Sequence, residues 1–190
     1  MARPKQFEED RAIDAAMRAF WSSGYEGTST QELCAATGLG RSSIYNTFSS
    51  KRDLFLRSLR RYMDARNEAT FATLDGPGSV KDRLRRLLWN VIDAPEDDPL
   101  GCLVVNSMVE LGPRDEEISD LLRADMDRRL TALTATIAAG QGAGEIRRAR
   151  PAAELANFVT ATVTGMRVAA RGGADRAMLE SIATVALDSL

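Results

Sequence analysis

Arg41, Ser42, Ser43, Tyr45, Asn46 and Thr47 form a run of polar or amphipathic side chains, interrupted by the apolar Ile44 and closed by Phe48. In a helix, Ile44 and Phe48 fall one turn apart on one face, and the other six point away from it. That free face suits the reading of base edges in a DNA major groove. Hydrogen-bonding groups near the helix N-terminus meet the bases there, and cationic groups at the flanks meet phosphates. Lys51 supplies such a flank. It follows Phe48 after the pair Ser49 and Ser50 and opens the next helix, where its charge and the first backbone N–H groups can face one phosphate. The partner implied by this chemistry is double-stranded DNA.

The residues around the run are those needed to hold such a helix. Ser29 followed three residues later by Glu32 makes a capping box, which predicts a helix beginning at Thr30 with Leu33 and Ala36 on its inward face. Gly38 supplies a tight or left-handed turn, and Leu39 fills the angle between that helix and the next, which begins at Arg41. Residues 28 to 56 therefore spell a helix-turn-helix. Leu33, Leu39, Ile44 and Phe48 are its core, and Cys34 is read as a small buried apolar residue.

Over the first 56 residues the order and spacing of these pieces resemble the TetR family of one-component bacterial transcription regulators. The resemblance rests on the helix Ile13 to Phe20, the turn Gly24-Tyr25-Glu26-Gly27-Thr28-Ser29, the segment Ala35-Ala36-Thr37-Gly38-Leu39, and Ile44-Tyr45-x-x-Phe48-x-x-Lys51-x-x-Leu54-Phe55. It implies a homodimeric, all-α protein whose N-terminal domain binds operator DNA and whose larger C-terminal domain binds an inducer. Residues 1–50 then form the DNA-binding domain and 51–190 the ligand-binding and dimerisation domain. For Tyr45 two readings stand: packing against the helix that starts at Lys51, and the phosphate contact the resemblance implies. Two positions depart from the family pattern. Gly40 stands where a capping serine or threonine is usual, and Thr47 stands where histidine is common, so no relative's operator sequence transfers to this chain.

Composition limits the other classes of function. The chain has 190 residues, 44% of them apolar, which is ample for a core. There is no run of eighteen apolar residues, and Met-Ala-Arg-Pro-Lys-Gln has no apolar stretch of a signal peptide, so a cytoplasmic protein without membrane contact is expected. Cys34 and Cys102 are the only cysteines and there is no histidine. Neither a disulfide framework nor an ordinary zinc site follows, and no cofactor is expected. Without a Cys/His or Ser/His pair or a phosphate-cradling glycine loop, an enzyme is not expected either.

Net charge is −2, but its distribution favours DNA at the N-terminal end. Residues 1–63 hold ten Lys/Arg against seven Asp/Glu, and 64–190 hold fifteen against twenty. Of the basic run Lys51, Arg52, Arg57, Arg60 and Arg61, Lys51 alone is assigned to DNA, the rest reading as a solvated helix face. Arg3 and Lys5 are expected in a short arm reaching the backbone or minor groove.

Beyond the motif the chain reads as helices separated by glycine and proline, about nine in all. A long helix from Lys51 ends at Asp75-Gly76-Pro77-Gly78, and Ser79 caps a helix with the stripe Val80, Leu84, Leu87, Leu88 and Val91. Leu100 to Leu111 is expected as a buried central helix. A longer one carries Ile118, Leu122, Met126, Leu130, Leu133 and Ile137 and ends at Gly140-Gln141-Gly142-Ala143-Gly144. Pro151 is placed in the first turn of the next, and the last runs from about Arg176. Ala161, Gly165 and Ala169, four residues apart, make a ridge that lets another helix approach. With Ile182 and Ala186 they are the expected dimer interface, packing within one subunit being the alternative.

The resemblance also implies an effector site in the C-terminal bundle. The adaptable or polar side chains there are Trp89, Cys102, Asn106, Met126, Phe158 and Met166, with Met63 and Met108 of similar character. Most such residues are ordinary core. Asn106 stands out because a buried amide must find partners or cost ~1 to 3 kcal/mol. Cys102, at the start of a helix whose dipole favours a thiolate, resembles a Gly-Cys start through which some TetR members sense electrophiles. The whole reading is a homodimeric repressor released from a palindromic operator by an unidentified small hydrophobic or aromatic effector. The alternative is control by thiol modification at Cys102 or by a protein partner.

Overall fold

In the computed structural model the backbone is described from Arg3 to Leu190 and the side chains from Glu9 onward. Nine helices and no strand occur among the described residues. They are α1 (Arg3–Ser23), α2 (Thr30–Thr37), α3 (Arg41–Thr47), α4 (Lys51–Leu74), α5 (Val80–Ile92), α6 (Leu103–Glu110), α7 (Glu116–Ala143), α8 (Ala152–Arg171) and α9 (Arg176–Asp188). The backbone of Arg3 and Lys5 belongs to α1, so helix replaces the expected arm. Their side chains lie outside the described residues.

The chain divides into two compact units. One comprises Met1–Ala65 with Cys102–Asp120, the other Arg66–Gly101 with Leu121–Leu190. The first unit therefore takes α6 and the opening of α4 along with α1, α2 and α3. Its core is Ala16, Phe20, Leu33, Ile44, Phe48, Leu54, Phe55 and Leu59, all buried. Phe20 and Phe55 meet edge to face at 5.1 Å, an arrangement that favours aromatic pairs beyond their buried area.

The second unit is built on α5, α8 and α9, which pack on one another. Val80, Leu84, Leu88 and Val91 of α5 bury the predicted stripe against Leu155, Ala156, Val159 and Met166 of α8 and Leu179, Ala183, Ala186 and Leu187 of α9. Ser79 starts α5 as predicted: its Oγ accepts the N–H of Asp82 at 3.1 Å, and the Asp82 carboxylate accepts the N–H of Ser79 at 3.1 Å.

Two elements differ from the sequence expectation. The central helix is shorter and less buried, because only α6 is helical within Leu100 to Leu111, and Leu100 and Val109 stand 62% and 75% exposed. Its apolar composition concealed a solvent face. Helix α7 ends at Ala143, inside the glycine-rich segment expected to close it. A Cβ on Gly140 would lie 2.9 Å from both Ile146 Cγ1 and Val80 Cβ, so this glycine permits close packing in the last turn of the helix. Pro151 is the residue preceding α8 rather than its first-turn residue.

Candidate nucleic-acid interface

The reading helix α3 is held from both sides by local chemistry. At the start of α2, Ser29 Oγ accepts the N–H of Glu32 at 3.1 Å while Glu32 Oε2 accepts the N–H of Ser29 at 2.6 Å. That backbone donor holds the Glu32 carboxyl below the usual carboxylate range. Gly38, at φ +70°, ends α2 in the left-handed region and donates its N–H to Cys34 O at 3.0 Å. Gly40 precedes α3 with no side-chain cap, as its missing side chain requires. Ile44 and Phe48 are buried at 1% and 0% exposure, and Leu39 is half-buried between the two helices.

Burial of those residues turns the polar set outward. Arg41, Ser42, Ser43, Tyr45 and Asn46 are exposed, and Thr47 is half-buried. Tyr45 is 40% exposed, its hydroxyl 3.4 Å from Thr30 Oγ1 of α2, and the Arg41 guanidinium lies 5.9 Å from its ring centre. The phenol is therefore steadied by α2 and α3 with much of its surface left open. Cys34 is half-buried, not fully enclosed as the sequence suggested.

Lys51 is the first residue of α4. Ser50 caps that helix by accepting the N–H of Asp53 at 3.0 Å, and Asp53 Oδ2 accepts the N–H of Ser49 at 3.3 Å. The basic run that follows separates by its partners. Arg52 pairs with Asp115 and Glu117, Arg57 with Glu9 and Asp53, Arg60 with Glu117, and Arg61 with Asp10 and Asp14. Among the described residues Lys51 alone of the five has no carboxylate partner. Its Nζ instead lies 4.5 Å from the ring centre of Tyr25.

One participant in this site gave no sequence signal. Glu110, at the end of α6, accepts the N–H of Tyr25 at 2.9 Å and of Glu26 at 2.6 Å, closing over the turn between α1 and α2. The contact joins residues 85 positions apart, which no local spacing announces.

The expected effector residues are distributed over both units. Cys102 and Asn106 belong to the first unit, while Trp89, Met126, Phe158 and Met166 belong to the second. Asn106 Nδ2 donates to Trp21 O at 3.3 Å, and the Tyr62 hydroxyl donates to Cys102 Sγ at 3.6 Å, so both polar groups have partners within the fold. Met166 is fully buried core, and Phe158 is 43% exposed on α8. Trp89 and Met126 are half-buried. None of the six lines the depression of about 470 Å³ bounded by Ala138, Gln141, Gly142, Arg148, Ala149, Arg150 and Pro151.

Of the expected interface residues, Ala161 and Gly165 are exposed on α8, and a Cβ at Gly165 would meet nothing within 4 Å. Ala169 and Ile182 are half-buried. Ala186, at 2% exposure, is buried in the unit's own core. The exposed apolar residues beside the ridge are Phe158 and Val168 on α8 and Met178 and Val185 on α9. No cluster of metal-binding side chains occurs among the described residues, and no helix there is long and apolar enough to cross a membrane.

A solvent-facing polar helix set by a glycine turn on a capped partner helix defines a helix-turn-helix DNA-binding protein. The particular family is the TetR family, to which this chain belongs. Residues 12–57 match the family described as "Bacterial regulatory proteins, tetR family", and residues 80–186 match "Tetracyclin repressor-like, C-terminal domain". The chain is 33% identical over 190 residues to the HTH-type transcriptional repressor ComR of Escherichia coli (strain K12), covering 97% of this chain and 90% of that protein. It is 36% identical over 121 residues to the uncharacterized HTH-type transcriptional regulator YezE of Bacillus subtilis (strain 168), a match spanning 62% of that relative's length. Among solved structures it superposes with a TM-score of 0.84 and 28% identity, covering 95% of each chain, on a cysteine-substituted TetR family regulator CifR complexed with 26bp double-strand operator DNA. A TetR regulator from Chloroflexus aurantiacus J-10-FL superposes with a TM-score of 0.87 at 28% identity, over 98% of this chain and 95% of that one. The protein is a DNA-binding transcriptional regulator, not an enzyme.

Proposed function

We propose that the protein is a homodimeric repressor that leaves a palindromic operator when a small hydrophobic or aromatic effector binds its C-terminal region. The observation that carries the DNA half of this reading is the outward polar face of α3 beside Lys51, the cation of its run without a carboxylate partner among the described residues. Arg41, Ser42, Ser43, Asn46 and Thr47 are assigned to base edges and nearby phosphates, and Tyr45 and Lys51 to the backbone. Repression is supported by the similarity to ComR.

Dimerisation is supported by the exposed apolar residues of α8 and α9 around Ala161 and Gly165. A two-fold pair would place two reading helices ~34 to 36 Å apart, one DNA turn. An effector acts by favouring an arrangement with another spacing, and linkage then requires operator DNA to weaken effector binding by the same factor. A regulator that works on bacterial DNA works in the cytoplasm.

Selection of the purified protein on random duplexes at about physiological salt tests the reading. Recovery of one palindrome, bound less well by Tyr45→Ala and Lys51→Ala, is the expected outcome; no enrichment counts against it. Control through Cys102 is the second reading, favoured by the Tyr62 hydroxyl aimed at Sγ and opposed by the 2% exposure of the thiol. Operator affinity unchanged after complete alkylation removes it.

A further inference from the structure

Glu110 lies outside residues 12–57, the stretch matched to the family's N-terminal region, yet it belongs to the same compact unit as the reading helices. Its two carboxylate oxygens are divided between two consecutive backbone donors, Oε2 on the N–H of Tyr25 and Oε1 on that of Glu26. Those donors sit in the turn between α1 and α2, where no helix ladder satisfies them. The fit is close: Gly24 is at φ +78°, and a Cβ there would come 2.9 Å from Glu110 Oε2. A side chain at position 24 would be strained by this conformation and would push the carboxylate from its place.

The turn fixed in this way carries the Tyr25 ring. That ring packs on Phe55 at 4.9 Å and Phe20 at 6.2 Å, and Lys51 Nζ lies 4.5 Å from its centre. A continuous path therefore runs from Glu110 through the Tyr25 backbone and ring to the ammonium at the start of α4. Charge-assisted hydrogen bonds to two adjacent amides leave the turn little freedom, and the ring face restricts where a flexible lysine dwells.

We propose that Glu110 is a positioning residue for DNA binding, which by clamping the turn at Tyr25 and Glu26 holds Lys51 where a phosphate is met. It does not touch DNA itself. This rests on the reading of Lys51 as a phosphate contact, and the two are separable by experiment.

Operator affinity of the full-length protein is measured across a salt series for the wild type, Lys51→Ala, Glu110→Ala and the double variant, using the duplex recovered by selection. Lys51→Ala is expected to weaken binding and to reduce the slope of log affinity against log salt by about one. Glu110→Ala is expected to weaken binding about tenfold or more and to lower the slope in the same direction, given what charged hydrogen bonds contribute. In the Lys51→Ala background the Glu110 substitution should then cost much less than in the wild type. Glu110→Gln, which keeps an acceptor for the Tyr25 N–H, should recover part of the loss and guards against a variant that merely unfolds. Additive losses, or an unchanged slope in Glu110→Ala, overturn the positioning role while leaving the Lys51 contact standing. A Lys51→Ala protein with wild-type affinity and slope overturns that contact and the proposal with it.

Discussion

The Arg52 guanidinium forks onto the Asp115 carboxylate, Nη2 lying 2.9 Å from both oxygens and Nε 3.2 Å from Oδ2. Asp115 also caps α7, its Oδ1 accepting the N–H of Ile118 at 3.2 Å. The Arg52 hydrogen bonds hold the Asp115 carboxyl below the usual carboxylate range, with the Ile118 N–H adding to the effect. A depressed folded-state value stabilises the fold above the unfolded value, and that contribution is lost as pH falls through the folded one. Asp115→Asn keeps a good helix cap and removes the charge. It should therefore lower stability at neutral pH by only about 0.2–1 kcal/mol, because Arg52 is 40% exposed and solvent screens the pair. It should also flatten the loss of stability below about pH 4. Thermal melts of both proteins from pH 7 to pH 3 check this, an identical pH dependence being the contrary result.

Side chains that read bases and side chains that meet phosphates differ in what their loss does. Asn46 is exposed on α3 without a cation of its own, so Asn46→Ala should change which base is preferred at one operator position, by about 1–3 kcal/mol of discrimination. Its effect on the salt slope should be small. Competition among operators carrying each base at every position measures it. Weakening that is uniform across all of them would place Asn46 on the backbone instead.

What the sequence disclosed follows from the range of the interactions involved. The capping boxes at Ser29 and Ser79, the inward pair Ile44 and Phe48, and the start of α4 at Lys51 are set by neighbours within four residues, and each formed as its pattern predicted. Glu110 on the turn at Tyr25, and Asp115 on Arg52, join segments 63 or more positions apart and left no periodic trace. Gly140, in the glycine-rich segment that closes α7 as expected, is also packed tightly against Val80 and Ile146, a contact that the sequence pattern did not announce. Ala186 read as an interface residue because small residues permit close approach by any helix. Spacing alone does not say whether the helix approaching belongs to the same chain.

Inside the second unit, Asp125 is 3% exposed, a charge that must be answered in place. Arg129 Nη2 lies 2.8 Å from Oδ2 as an ion pair, and Asn67 Nδ2 donates to Oδ1 at 2.7 Å. Arg129→Met leaves the carboxylate without its countercharge and should cost about 3–5 kcal/mol. Adding Asp125→Asn to that variant removes the buried charge and keeps an acceptor for Asn67, so most of the loss should return. Chemical denaturation of the single and double variants decides the matter; a double variant no more stable than Arg129→Met would mean that the cost lies in lost packing.

The α8 and α9 surfaces give the proposed dimer its sharpest test. Phe158, Ala161, Gly165 and Val168 recur at intervals of three and four along α8, so they share one face. Val168 and Val185 stand 54% and 66% exposed in a single chain. An apolar stripe of that kind is ordinary for a surface that a second copy covers. Replacing Val168 and Val185 by Glu removes no contact within the unit's core, so helicity and the melting of the monomer should be little changed. Placed across a two-fold axis, however, the new carboxylates confront apolar side chains and one another. Light scattering at micromolar concentration should then report a monomer, and affinity for the palindromic operator should fall steeply because two linked reading heads become two independent ones. A dimer that survives both substitutions would place the subunit contact elsewhere on the chain.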